Sequence, residues 1–352
     1  KKPKDGVCEH REICPFLLQQ KQESDVVLFA HEMLTKRKPT YFGRLDAVVV
    51  DEDASSTRIG GVGPIPATAD CDDLLIVAEA LEDAAEAIAG EQSTGTFVAV
   101  PGETADLRAR FRATVESVTP LGDTRDPSLA GARTPADGTY RRGEIVVSFP
   151  VAATGPSLPT LLATVAGNLF ELRELSGLRL RDIHYADAFR DAYPGAAFGI
   201  DGTRRLAGAP SGPLVGTIIK PSVGLDPGQT AALVDELVTA GIDFIKDDEL
   251  QANGPHCPLH ERVAAVMPVI ERHADWTGKR VMYAFNITDD IDAMCRHHDT
   301  VAGAGGTCVM VSVNSMGAAG VAHLRERARL PIHAHRNGWG MYTRHPSLGL
   351  DF

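Results

Sequence analysis

Beyond residue 213, apolar runs and helically spaced stretches follow one another in strict alternation. Leu214–Lys220, Asp243–Glu249, Arg280–Ile287, Thr307–Asn314 and Pro331–Arg336 read as strands, apolar over most of their length as strands covered on both faces are. The dozen or so residues between neighbouring strands read as helices. The first helix is the best delimited: Asp226 as N-cap, Pro227 at the first helical position, Leu233, Val234, Leu237 and Val238 on one face, and Gly241 past the end. Such βα alternation predicts an α/β fold with a parallel sheet, either doubly wound or closed into a (β/α)8 barrel.

Upstream the pattern is mixed. Leu74–Ala89 reads as an amphipathic helix, and Phe97–Val100, Ala113–Val118 and Ile145–Phe149 as strands. Ser157–Phe170 is an apolar segment closing on Gly167 and Asn168. Residues 72–195 are therefore expected to form a small α+β domain, with the βα repeats filling 205–352. Residues 1–65 stand apart as a segment unrelated in character to the rest. Residues 1–44 carry nine Lys/Arg against six Asp/Glu in an otherwise acidic chain, and a Gly/Pro-rich junction, Gly60–Pro66, follows.

Composition narrows the function classes. A hydrophobic share of 43% and a charged share of 23% are those of a globular protein. No apolar run approaches the roughly 20 residues of a membrane span, and no secretory signal is legible. The net charge of −12 argues against a nucleic-acid partner, which needs a basic face. The six cysteines are scattered, so a reducing cytoplasm is expected rather than a disulfide framework, and Cys8 with Cys14 is too loosely spaced for a zinc site.

The predicted strands end in polar groups: Lys220, then Lys246-Asp247-Asp248-Glu249, Asn286, Ser312 with Asn314, and His333, His335 and Arg336. An open sheet gathers its ligands at one crevice, whereas a barrel gathers every strand's C-terminal end around one mouth, so polar groups on each successive strand favour the barrel. In Phe244-Ile-Lys-Asp-Asp-Glu249 the period of two puts Lys246 and Asp248 on one face and turns Asp247 away. Lys246 beside two carboxylates is either a buried ion pair or a modified lysine. As a carbamate it becomes an anion, and with Asp248 and Glu249 it offers the oxygen ligands a Mg2+ ion takes.

The segments GTIIKPSVGL (216–225), GIDFIKDDE (241–249), HAHRNG (333–338), GEQSTGTF (90–97) and VAGNLF (165–170) resemble, in order and spacing, hallmark segments of the RuBisCO large-subunit superfamily. The resemblance implies a small N-terminal α+β domain, a (β/α)8 TIM barrel, and active sites shared across a homodimer. It implies that Lys246 is carbamylated by CO2 and holds Mg2+ with Asp248 and Glu249. It implies that Lys220 assists proton transfer, that His335 handles protons and that Arg336 grips a phosphate. Asn168, Glu91 and Thr96 are implied to reach a phosphorylated sugar or sugar-acid substrate. Carboxylases in the family carry Lys-Pro-Lys where this chain has Lys220-Pro221-Ser222, and Trp where it has Phe97. The wording of PSVGL, KDDELQANGPHCP and YAFNIT is similar to the non-carboxylating, form IV-like RuBisCO-like proteins, some of which act on 3-oxo-isoapionate 4-phosphate. The alternatives within the family are a carboxylase and a methionine-salvage enolase acting on 2,3-diketo-5-methylthiopentyl 1-phosphate. With about five βα units legible, the barrel is expected to be incomplete, and residues 1–352 taken alone are expected to be an inactive remnant.

Overall fold

A computed structural model describes residues 69–95, 101–193 and 195–350, together with the pairs 26–27 and 47–48. In the N-terminal segment, β1 (Val26–Val27) pairs in parallel with β2 (Ala47–Val48). The remaining described residues divide mainly between an antiparallel unit and a parallel one.

The antiparallel unit runs β3 (Ala69–Ala78), α1 (Leu81–Glu91), α2 (Ala105–Phe111), β4 (Thr114–Thr124), β5 (Tyr140–Pro150), α3 (Val151–Thr154), α4 (Leu158–Ala166), a 3-10 turn over Asn168–Glu171, β6 (Leu175–His184) and α5 (Asp187–Ala192). β3 lies between β5 and β6, antiparallel to both, and β4 flanks β5. Leu74, Ile76, Ile145, Val147 and Leu178 bury one face of the sheet against Ile88 of α1 and Leu161 of α4. Strands and helices together make an α+β layer, and one expectation is corrected: Leu74–Ala78 is the second half of a strand, and the helix begins only at Leu81. Five consecutive apolar residues have no period to read, and a central strand buried on both faces imitates a core helix. The expected strand at Phe97–Val100 lies outside the described residues.

In the parallel unit, α6 (Gly199–Leu206) precedes β7 (Gly216–Ile218), α7 (Pro227–Thr239), β8 (Phe244–Lys246), α8 (Leu259–Thr277), β9 (Met282–Asn286), α9 (Ile291–Gly303), β10 (Cys308–Ser312), α10 (Val313–Arg327) and β11 (Ile332–His335). The five strands pair in sequence order and all in parallel, as the βα alternation predicts. α7 opens with a full capping box: Asp226 Oδ1 accepts from Gln229 N at 2.8 Å, and Gln229 Oε1 accepts from Asp226 N at 3.0 Å.

Strand alternation divides this sheet into two apolar layers. Ile219, Ile245, Tyr283, Phe285, Val309 and Val311 pack under the helices with Val234, Val263, Val266 and Leu324. Met282, Ala284, Cys308 and Met310 form the opposite layer, with Phe244 against it. Fully burying one such Leu, Val or Phe contributes about 1.5–3 kcal/mol, so strand register is strongly specified and a slip by one residue would exchange the two layers.

After β11, α11 (Trp339–Thr343) and β12 (Leu348–Leu350) belong to the antiparallel unit, where β12 extends the sheet in parallel with β6. Arg179 on β6 holds this tail by donating to the carbonyls of Thr343, at 2.9 Å, and His345. Among the described residues no helix is long and apolar enough to cross a membrane.

Candidate active site

The C-terminal ends of β7, β8 and β11 bring five of the expected residues together on the layer opposite the helices. Lys246 closes β8 with its side chain 6% exposed, and its Nζ lies 3.7 Å from Glu249 Oε2 and donates to the Asp247 carbonyl at 3.2 Å. Glu249 Oε2 also lies 3.9 Å from His335 Nε2 at the end of β11, so one carboxylate stands between an amine and an imidazole. Lys220, just past β7, pairs with Asp248 Oδ2 at 2.9 Å and donates to Ser222 Oγ at 3.1 Å. Asp248 Oδ1 accepts from Leu250 N at 2.9 Å, which fixes the carboxylate at both oxygens. The position where carboxylases of the family carry a second lysine thus holds a hydroxyl that accepts from the first.

Asp247 points the other way, into the helical layer, and is fully buried there. Its Oδ2 accepts from Arg262 Nε at 3.1 Å and from Asn286 N at 2.8 Å, while the Tyr283 hydroxyl donates to Oδ1. The Asn286 side chain returns toward the site, its Nδ2 donating to the carbonyls of Asp248 at 3.0 Å and Glu249 at 3.1 Å. Burial disfavours the charge on Arg262, but the Asp247 carboxylate, together with Tyr283 and Cys257, outweighs it and holds the guanidinium above its ordinary pKa. Burial, and then the Asp247 charge, push the Tyr283 hydroxyl well above the ordinary phenol range, so it remains a donor.

Sequence reasoning did not single out Arg262 or Tyr283. A signal for Arg262 was present: it lies among Leu259, Val263, Val266 and Ile270 at helical spacing, a charge inside an apolar stripe. Asp247 supplied the matching one, an acid facing inward on a central strand, which requires a partner.

The other expected residues fall as follows. Arg336 is half-buried directly after His335 and belongs with the tail in the antiparallel unit. In that same unit Glu91 ends α1, half-buried, and Asn168 opens the 3-10 turn, exposed. Thr96 lies outside the described residues. His333 lines the inner layer, its ring 5.5 Å from that of Phe244 and 6.2 Å from that of His335. Among the described residues no three His, Cys, Asp or Glu side chains converge as a metal set. Asp248 and Glu249 are two carboxylates, the first paired with the Lys220 amine and the second 3.7 Å from that of Lys246. A cavity of about 420 Å3 in the parallel unit, lined by Phe198, Ile200, Arg204, Leu214, Leu330 and Ile332 among others, shares no residue with this cluster.

Lysines, carboxylates and a histidine gathered at the C-terminal ends of several strands of one parallel sheet define a site of the barrel-enzyme class. Comparison with known families narrows this. Residues 199–352 match the catalytic domain of the ribulose bisphosphate carboxylase large chain, and residues 78–189 match its N-terminal domain. The chain belongs to the ribulose-bisphosphate carboxylase large-chain family, and its near relatives are RuBisCO-like proteins.

It is 55% identical over 268 residues to the 3-oxo-isoapionate-4-phosphate transcarboxylase/hydrolase of Xanthobacter autotrophicus, covering 76% of this chain and 64% of that one. It is 46% identical over 273 residues to the 3-oxo-isoapionate-4-phosphate decarboxylase of Rhizobium etli, covering 77% and 65%. A crystal structure of a rubisco-like protein from Burkholderia fungorum superposes with a TM-score of 0.75 at 44% identity, covering 80% of this chain and 68% of that one. The chain spans just under two thirds of the length of the two curated relatives.

Proposed function

We propose that the protein acts on a phosphorylated β-keto sugar acid of the 3-oxo-isoapionate 4-phosphate type, forming an enolate at the cluster of Lys220, Lys246, Asp248, Glu249 and His335. The observation that carries this reading is the placement of Glu249 between Lys246 and His335, beside the Lys220–Asp248 pair. The names of two relatives at 55% and 46% identity point to the same substrate.

The residues fit a Mg2+ ion. Buried Asp248 and half-buried Glu249 follow buried Lys246 in the chain, Glu249 Oε2 lies 3.7 Å from the Lys246 amine, and that amine becomes a third anionic oxygen donor once it takes up CO2 as a carbamate. Lys246, Asp248 and Glu249 would hold the metal, which when bound polarises the substrate carbonyl. When the bond to the departing carboxylate breaks, its electron pair passes to the neighbouring carbonyl oxygen, and a proton must then return to carbon. Lys220 is placed to steady the developing negative charge, and His335, in contact with Glu249, to deliver the proton. Arg336, Glu91, Asn168 and Thr96 are assigned to substrate binding, in a homodimer, by resemblance to the family.

Ser222 favours the non-carboxylating reading. The Lys220 ammonium meets a neutral hydroxyl there, and the charged carboxylated intermediate of a carboxylase lacks its second cation. The test is to incubate a form of the protein that spans the full length of its relatives with 3-oxo-isoapionate 4-phosphate in deuterium oxide, with Mg2+ and bicarbonate or with chelator. Metal-dependent loss of the carboxylate with deuterium entering the adjacent carbon is expected, and no labelled CO2 should enter ribulose bisphosphate. Incorporation of that label above background would contradict the reading.

A further inference from the structure

We infer that Arg262 is the positioning residue of this site, acting from the helical side of the sheet to fix the direction of Asp248 and Glu249 on the opposite side. The inference rests on the metal reading above for its functional meaning, but its geometry stands independently.

Arg262 projects from the first turn of α8 and is fully buried. All three of its nitrogens are engaged. Nε donates to Asp247 Oδ2 at 3.1 Å, Nη1 to the Cys257 carbonyl at 2.9 Å, and Nη2 to the carbonyls of Gln251 at 3.1 Å and Ala252 at 2.7 Å. One planar cation thereby clamps the strand at Asp247 and both ends of the 251–257 loop that follows the acidic pair. A lysine could not do this, because its single ammonium lacks the fork.

The clamp reaches the acids by two routes. Through Asp247, which also accepts from Asn286 N at 2.8 Å, it sets Asn286, whose Nδ2 grips the carbonyls of Asp248 and Glu249 at 3.0 and 3.1 Å. Through the loop, it holds Gln251, whose backbone N–H donates to the Asp248 carbonyl at 3.0 Å. The backbone of both acids is thus fixed from behind, while the Glu249 carboxylate meets Lys246 and His335 at 3.7 and 3.9 Å on its own side. Groups that orient the ligands of a metal typically change its affinity about 10- to 100-fold when removed.

The test uses Mn2+ as the probe, titrated by electron paramagnetic resonance in bicarbonate buffer well below the unfolding temperature, with the protein, Arg262→Lys, Arg262→Met and Tyr283→Phe. We expect Arg262→Met to weaken Mn2+ about 10- to 100-fold, with partial rescue in Arg262→Lys and a smaller loss in Tyr283→Phe. A purely structural role would lower the unfolding temperature and leave the affinity of the folded protein unchanged. The second readout, amide hydrogen exchange over residues 248–253, needs no metal. Arg262→Lys should lose protection there while β10 keeps it. Should Arg262→Met fail to fold, the Lys and Phe variants decide. Folded variants with Mn2+ affinity within about twofold of the parent and unchanged exchange overturn the inference. If the parent itself binds no Mn2+, the metal reading fails instead, and the exchange data alone decide whether Arg262 positions the acids.

Discussion

Acids two residues apart, just past the end of β8, serve opposite ends in this protein. On the helical side, Asp247 is closed in by Arg262, Tyr283 and Asn286, and neither the acid nor the guanidinium is exposed to solvent. On the other side, Glu249 reaches Lys246 and His335 only at 3.7 and 3.9 Å, and its side chain is 30% exposed. The difference shows how a sheet can hold a reactive cluster in place. The close contacts are made behind the strand, leaving Glu249 in front with longer contacts and half-exposed.

The largest effect belongs to the open side. In a form spanning the full length of the relatives, Lys246→Ala should reduce the proposed turnover of the keto acid to background, and its urea midpoint should stay nearer the parent's than that of any Arg262 variant. If Lys246→Ala proves the more destabilising of the two, the division between the sides is wrong. On the closed side, Arg262→Met leaves a carboxylate buried without its counter-ion, and unfolding free energy should fall by about 3–5 kcal/mol. Tyr283→Phe removes one hydrogen bond to that charge and should lower it by about 1.5–3 kcal/mol, read from the same urea curves. Equal, small losses in both would mean that the closed side is not rigid.

Smaller changes sharpen the picture. Ser222→Ala removes one acceptor from Lys220 but keeps the pair with Asp248, so stability should change by no more than about 1 kcal/mol. Any larger shift would make the hydroxyl, rather than Asp248, the principal anchor of Lys220. The smallest expected effect is no reaction at all. Burial pushes the Cys308 thiol up to about 12, against hydrogen bonds that favour the thiolate. At pH 8 a thiol reagent should therefore leave Cys308 untouched in the native protein and modify it only after unfolding. Rapid native labelling, located by mass spectrometry, would show that the inner layer around Met282, Ala284 and Met310 opens to solvent.

The parallel unit was largely legible in the sequence because each of its signals is local. The five apolar runs, the Asp226 cap with Pro227, and the alternation in Phe244–Glu249 all predict features that the fold contains. The family segments added Lys220 and His335, which stand beside the acidic pair. The antiparallel unit was less legible. Leu74–Ala78 carries no period, and β6 was not foreseen because its sequence, LSGLRLRDIH, is interrupted by Gly177 and by charged residues. Gly177 is required there by packing: a Cβ in its place would lie 2.8 Å from the Val77 side chain on β3.

By itself the sequence determined that Lys246 and Asp248 share one face and that Asp247 takes the other, because successive side chains of an extended backbone alternate in direction whatever they pack against. Only the tertiary structure decided what meets those side chains. Arg262 reaches Asp247 across 15 residues, Tyr283 reaches it across 36, and Lys220 reaches Asp248 across 28. Such meetings depend on how strands align and helices pack, and local pattern does not specify these. The apolar stripe of α8 shows that Arg262 is buried, whereas its partner is set by the register of β8 and β9, which the two apolar layers fix together.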